Sequence, residues 1–382
     1  MIKVTDKSEC CGCTACKAVC PHEAISMRPD ALGFMYPVTD ADRCTDCGLC
    51  EKVCAFRTPV QDAFTPKAMA VRNRDEESLM QSRSGAVFPV IAADVIARGG
   101  TVYGAAFDNG FRVIHSRAEN MQEADAFRGS KYVQSDMNDM FRKVRNDLME
   151  GRPVFFTGTP CQVHGLLSYI PDKLREKLLT ADIVCHGVPS PYVWRDYLGH
   201  LERRHGGRVS EVSFRDKKIY GWAAHKETYR IDGKMFTESS FTHLFYRHIM
   251  LRPSCAVCQY ASTKRCSDIT LADFWGWQKS VPGFNDDDKG VSLVLVSSSE
   301  GASAIERCRG CLEIREVSLE NCLQPNLLRP SAPDKDSAMF AEDFSTKGID
   351  YVLKRYGDQG WRYKVYTLYM NMKRRIKGWV GK

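Results

Sequence analysis

Cys10-x2-Cys13-x2-Cys16-x3-Cys20 is followed by Cys44-x2-Cys47-x2-Cys50-x3-Cys54, so one spacing of four thiols occurs twice in a short stretch. A cubane [4Fe-4S] cluster needs four thiolates converging from different directions. Three cysteines at successive x2 spacings on a tight loop can wrap three irons while a fourth comes from elsewhere. Zinc ribbons use two C-x2-C pairs, not two runs of four that end in x3. The doubled run predicts two [4Fe-4S] clusters and single-electron chemistry.

In two-cluster ferredoxins the fourth ligand of each cluster comes from the other repeat. That rule assigns Cys10, Cys13, Cys16 and Cys54 to one cluster and Cys44, Cys47, Cys50 and Cys20 to the second. Gly12 and Gly48 are read as one position of the repeat, where a residue without Cβ lets backbone amides approach the sulfides. Cys11 does not fit the spacing and reads as a bystander. Cys54 is followed by Ala55 where Cys20 has Pro21, which leaves the ligand count intact.

Four more thiols lie on three loops: Cys161 after Pro153 to Thr157, Cys185 after Asp182 to Val184, and the pair Cys255-x2-Cys258. Their number suits a third cubane, and by spacing alone it suits a structural zinc ion equally well. The neighbouring double-cluster module favours the cubane, since its electrons need somewhere to go. Cys308-x2-Cys311 lies on an expected helix and, with Cys322, reads as core or surface.

The elements that must position these groups follow from periodicity. Ile25 to Arg28 and Phe34 to Val38 are expected as strands around a turn at Gly33, and residues 55 to 67, with Pro59 and Pro66, as a linker. Beyond it, Gly85 to Ala97 and Met137 to Met149 read as helices. Thr101 to Phe107, Pro153 to Thr157 and Ala181 to Val184 read as strands. The fold class expected is α/β (α+β) and multidomain: a small two-cluster ferredoxin-like domain over residues 1–58, then a mixed α/β domain whose loops at strand ends carry the chemistry.

Composition agrees with a folded protein: of 382 residues, 43% are hydrophobic and 26% charged. Residues 1 to 9 have no apolar segment of a secretory signal, and no apolar run reaches the length that spans a bilayer. With 17 cysteines available for metal, a cytoplasmic setting is expected. The net charge of +7 is concentrated in part among Lys364, Lys373, Arg374, Arg375, Lys377 and Lys382. Such a tail suits a solvated or docking helix, or a basic amphipathic helix on anionic lipid or an acidic partner. No motif that reads RNA or DNA accompanies the charge, so no nucleic acid partner is expected.

The segments Phe156-Thr-Gly-Thr-Pro-Cys-Gln162, Cys185-His-Gly-Val-Pro-Ser190 and Ser267-Asp-Ile-Thr-x2-Asp-Phe-Trp-Gly276 resemble the coenzyme F420 hydrogenase/dehydrogenase beta-subunit family. Ser82-x-Ser84-Gly85 and Gly129-Ser-Lys131-Tyr-Val-Gln134-Ser135 resemble its N-terminal flavin-binding region. The resemblance divides the large domain into an N-terminal region over 68–145 and a C-terminal region over 150–330, with 331–382 left as a basic tail. It implies FAD as well as a [4Fe-4S] cluster on Cys161, Cys185, Cys255 and Cys258. Flavin contacts would come from Ser84, Gly85, Lys131, Thr157 and Gly158. Clusters pass single electrons and hydride partners trade two, so a flavin is a natural converter. His186 and Asp273 are the candidates for proton handling. The expected partners are a redox protein or ferredoxin and a small hydride donor or acceptor, F420-like or other. The alternatives are a non-catalytic iron-sulfur subunit of a larger complex, or a scaffold whose large-domain cysteines hold zinc.

Overall fold

The computed structural model describes residues 1–58, 60, 65–361, 363 and 365. The basic cluster from Lys364 to Lys382 and part of the expected linker lie outside them.

In the N-terminal module, β1 (Ile25–Pro29) and β2 (Met35–Thr39) pair antiparallel, with Ile25 opposite Thr39. Gly33 turns between them at φ +82°, where a Cβ would meet the Tyr192 ring at 2.5 Å. Each cysteine loop carries two left-handed residues, Gly12 and Thr14 in one and Asp46 and Gly48 in the other. Gly12 therefore corresponds to Asp46, and Gly48 to Thr14. The two glycines are not one position of the repeat. Only Gly12 is also needed for space, since its Cβ would lie 2.8 Å from Arg252 Nη1, whereas nothing stands within 4 Å at Gly48.

The large domain is built on an eight-stranded sheet. Its strands are β3 (Lys67–Asn73), β4 (Thr101–Phe107), β5 (Val113–Ala118), β6 (Val154–Gly158), β7 (Leu178–Ile183), β11 (Ile269–Asp273), β12 (Ser292–Val296) and β13 (Leu312–Val317). They lie in the order β13-β3-β12-β11-β7-β6-β4-β5. The central pairs β4–β6, β6–β7 and β7–β11 are parallel, and the flanking pairs antiparallel. Strands covered on both faces must be apolar throughout, and Ser292–Val296 is buried at every residue. Successive side chains go to opposite faces. Phe155 packs with helices Val87–Ala97 and Ser299–Arg307, while Val154 and Phe156 pack with helices Met140–Met149 and Pro160–Tyr169. Ala15 and Val53 of the N-terminal module join this second layer.

A separate core gathers around the Pro191–His205 helix and an antiparallel sheet of β8 (Val209–Ser213), β9 (Glu227–Ile231) and β10 (Lys234–Glu238). The Ser337–Arg355 helix buries Phe340, Phe344, Ile349, Val352 and Leu353 there. Residues set apart from sequence as the start of a basic tail thus belong to a core. The expected helices begin later than periodicity suggests, at Val87 and Met140, because Ala86 is left-handed and Asp139 is non-helical. Cys308 and Cys311 do not share a helix. Cys308 is the C-cap of Ser299–Arg307 and buried, while Cys311 ends the following 3-10 turn and is exposed. Among the described residues no helix is long and apolar enough to cross a membrane.

Candidate iron-sulfur sites and an adjoining cleft

Cys10, Cys13, Cys16 and Cys54 line one cavity of the N-terminal module, and Cys20, Cys44, Cys47 and Cys50 line another. Of the eight repeat thiols, each cavity takes three from one repeat and one from the other, and Cys11 lines the first cavity as well. Backbone N–H groups point at their sulfurs, from Ile2 to Cys50 Sγ at 3.3 Å and from Ala24 to Cys20 Sγ at 3.4 Å. Such donors favour the thiolate that a cluster needs.

Cys161, Cys185, Cys255 and Cys258 line a third cavity. The parallel order brings them together, because β6 and β7 end side by side, with Gly158 opposite Asp182. Cys161 sits in the first turn of Pro160–Tyr169, and Cys185 lies two residues past the end of β7. The Pro253–Val257 3-10 turn supplies Cys255, and its C-cap is Cys258. Amides of Gly187 and Val188 donate to Cys185 and Cys255 Sγ, each at 3.4 Å. Burial pushes the Cys255 thiol up to about 12 and Cys258 up to about 11, so without a cation these groups stay protonated. Cys11 lines both this cavity and the Cys10 cavity, and its thiol is within hydrogen-bonding reach of Cys13 and Cys161. It lies between the two cavities. Among the described residues, no group of three or more His, Cys, Asp or Glu side chains is placed to hold a single metal ion.

A cleft of about 380 Å³ opens beside the third cavity, within the size range of cofactor sites. Ser84, Lys131, Thr157, Gly158, His186 and Asp273 all line it. Gly85 does not. Its missing Cβ is explained by packing, since that atom would fall 2.0 Å from Val71 O. Ser84 Oγ donates to Val291 O at 2.6 Å, and Lys131 Nζ donates to Ala126 O and Arg128 O at 2.8 and 2.9 Å. Burial pushes the Lys131 ammonium down to about 7. The Thr157–Thr159 turn is held by a closed network. Gln162 Oε1 accepts from Thr159 N at 3.0 Å, Gln162 Nε2 donates to Ser135 Oγ at 2.9 Å, and His115 bridges Ser135 Oγ and Thr157 O at 2.8 and 3.0 Å. His115 is buried and pushed down to about 4, a neutral ring that serves as a brace. Cys185, His186, Gly187 and Val188 line the cleft and the third cavity alike.

At one end of the cleft Asp273 is ion-paired with Arg215 and accepts from Trp222 Nε1 at 3.2 Å. Burial works against its charge, but Arg215 and Arg83 outweigh it and hold the carboxyl below the usual range. Arg215 also donates to His225 Nε2 at 3.1 Å, and His225 hydrogen-bonds Tyr246. Burial lowers His186 as well. Sequence reasoning missed His115, Arg83, Arg215, His225 and Tyr246 as cleft residues. Of their surroundings only Ser135 and the Ser82 to Gly85 stretch carried a signal.

Residues 9–58 match the model of the 4Fe-4S dicluster domain. Residues 151–320 match that of the C terminus of the coenzyme F420 hydrogenase/dehydrogenase beta subunit. No curated protein matches the chain. Among solved structures, a chain of the F420-reducing [NiFe] hydrogenase complex from Methanosarcina barkeri, in a xenon derivative, is similar at 17% sequence identity and a TM-score of 0.46, covering 78% of this chain and 95% of that one. The chain is thus an iron-sulfur protein that joins a 4Fe-4S dicluster domain to the C-terminal domain of the coenzyme F420 hydrogenase/dehydrogenase beta-subunit family.

Proposed function

We propose that the chain is an iron-sulfur flavoprotein oxidoreductase. Single electrons pass between a redox partner protein, the two N-terminal clusters and a third [4Fe-4S] cluster on Cys161, Cys185, Cys255 and Cys258. The cleft then exchanges two electrons with a small hydride donor or acceptor, F420-like or other. The observation that carries this reading is the shared wall: one four-residue segment, Cys185 to Val188, faces the thiol-lined cavity on one side and the cleft on the other. Four thiols lining one cavity match the ligand count of a cubane, and the neighbouring dicluster domain favours a cluster there over a zinc ion.

FAD would lie along Thr157, Gly158, Lys131 and Ser84 and supply the exchange between one- and two-electron chemistry. The His115–Ser135–Gln162 network keeps the Thr157–Thr159 turn rigid, so its backbone can orient a bound ring. His186 is placed for proton handling, since its ring makes no hydrogen bond with the described residues and burial favours its neutral form. Asp273 is held as a carboxylate and is better suited to anchoring Arg215 than to giving up a proton. A second reading, an electron-transfer subunit without its own chemistry, is favoured by Lys131 and Ser84 donating to main-chain carbonyls.

Anaerobic purification with iron, zinc and flavin measured together tests both. The expected result is about twelve iron per chain, one FAD and no zinc, with about four iron lost in Cys185→Ser. About eight iron with one zinc would replace the third cluster by a structural ion. No flavin after reconstitution would sink the enzyme reading and leave the electron-transfer subunit.

A further inference from the structure

Two guanidinium groups and one carboxylate meet at the end of the cleft. The Arg215 side chain is only 4% exposed and is neutralised by Asp273. Arg83 has no such partner: it donates to Trp222 O and to Arg215 O, and among the described residues it reaches no carboxylate. Burial and the nearby Arg215 push Arg83 down to about 10, which still leaves it cationic at neutral pH. His225 adds no charge, because burial and the two arginines push it down to about 4. One positive charge is therefore left over in a poorly hydrated corner. The Nε–H groups of both Arg83 and Arg215 are buried with no hydrogen-bond partner.

Two buried guanidinium groups sharing one carboxylate, and buried donors without acceptors, each cost stability. An anion in the cleft would offset the excess charge, reaching the two guanidinium groups where they line the cleft. Guanidinium groups are matched in shape to carboxylate and phosphate oxygens. The surroundings suit a flat molecule carrying such a group. The Trp275 ring stacks on Trp222 at 4.5 Å between centroids, lies 5.2 Å from the Arg215 guanidinium carbon, and lines the cleft beside His225 and Tyr246.

We propose that Arg83 and Arg215 form an anion subsite of the cleft. It takes the carboxylate or phosphate of a ligand whose planar ring lies against Trp275. This rests on the reading of the cleft as the two-electron site, and it narrows the reacting partner or its cofactor to acidic ring compounds. The anion can belong to the substrate or to the flavin's phosphates, and the two are separable.

Isothermal titration of cluster-loaded full-length protein with inorganic pyrophosphate should give saturable binding to one site. Arg83→Gln should weaken it by at least about tenfold, and Arg83→Lys, which keeps the charge, by much less. No saturable binding to the wild type, or equal affinity in Arg83→Gln, overturns the proposal without depending on whether any variant is less stable. If Arg83→Gln weakens FAD but not riboflavin, the subsite holds the flavin's phosphates. If both flavins bind as in the wild type while pyrophosphate binding is lost, it serves the substrate. Pyrophosphate binding that depends on Arg83 in a protein that takes up no flavin would keep the subsite and discard the flavin. Flavin bound without any pyrophosphate site would do the reverse.

Discussion

At the scale of single residues, Arg252 bears most directly on how the two domains work together. It is 1% exposed, and its guanidinium donates to Cys10 O at 2.7 Å, Gln134 Oε1 at 2.9 Å and Met35 O at 3.0 Å, with Cys10 Sγ at 3.6 Å. It also faces the Tyr36 ring at 4.3 Å. Replacing it with Met strands three buried acceptors, so Arg252→Met should lower unfolding stability by about 3 kcal/mol in a denaturant titration. If Cys10 ligates a cluster as proposed, the substitution should also lower that cluster's reduction potential in a spectroscopic redox titration, because a nearby cation favours the reduced form. An unchanged potential would place the guanidinium's effect in packing alone. None of this was legible in the sequence. Cysteine runs announce themselves because the ligands of a cluster are spaced by the chain itself. Arg252, Arg83 and Arg215 are single polar residues whose meaning appears only when distant segments meet.

At the scale of elements, five strands were legible, although Leu178–Ile183 begins three residues before its expected start; the other eight described strands were not read, and helix starts were not legible. Thr101–Phe107 is bounded as its pattern implies, because a buried strand is a short apolar run ended by polar or turn residues. Helix starts depend on backbone conformation at single residues, such as left-handed Ala86, which periodicity cannot see. The Pro160–Tyr169 helix shows what packing adds. Gly165 faces the N-terminal module so closely that a Cβ there would lie 2.7 Å from both Cβ and Sγ of Cys13. In a free helix Gly→Ala is stabilising by about 1 kcal/mol. Here we expect the opposite sign: Gly165→Ala should destabilise by about 1–3 kcal/mol on thermal or chemical unfolding and loosen the cluster on Cys13. A gain in stability would mean that the helix does not press on the cysteine loop.

At the scale of the whole molecule, the N-terminal module is more than an attached carrier. Cys11 and Phe56 come from it and line the third cavity, so one domain closes the other's site. Phe56 also lines the Cys10 cavity. Phe56→Ala should open both sites to solvent, and the iron-sulfur absorbance should bleach in air severalfold faster than in the wild type. An unchanged bleaching rate would show that the shielding comes from elsewhere. The expected boundary after residue 58 rests on the change in sequence pattern there. The mutual closure was not readable from sequence, because it joins residues some two hundred positions apart, such as Gln259, which donates to Ala55 O at 3.1 Å.

The segment from Cys185 to Val188 has a further consequence, one that concerns change over generations. A wall that holds a thiol on one side cannot be redrawn for a new substrate on the other, and an insertion within it would displace both surfaces in a single step. If the cleft takes the proposed reacting partner, substitutions that retune it without disturbing the thiols would lie at the opposite end, around Arg83, Arg215 and Trp275. On the proposed function, a change in the Cys185 to Val188 wall would therefore alter the cluster site and the cleft together.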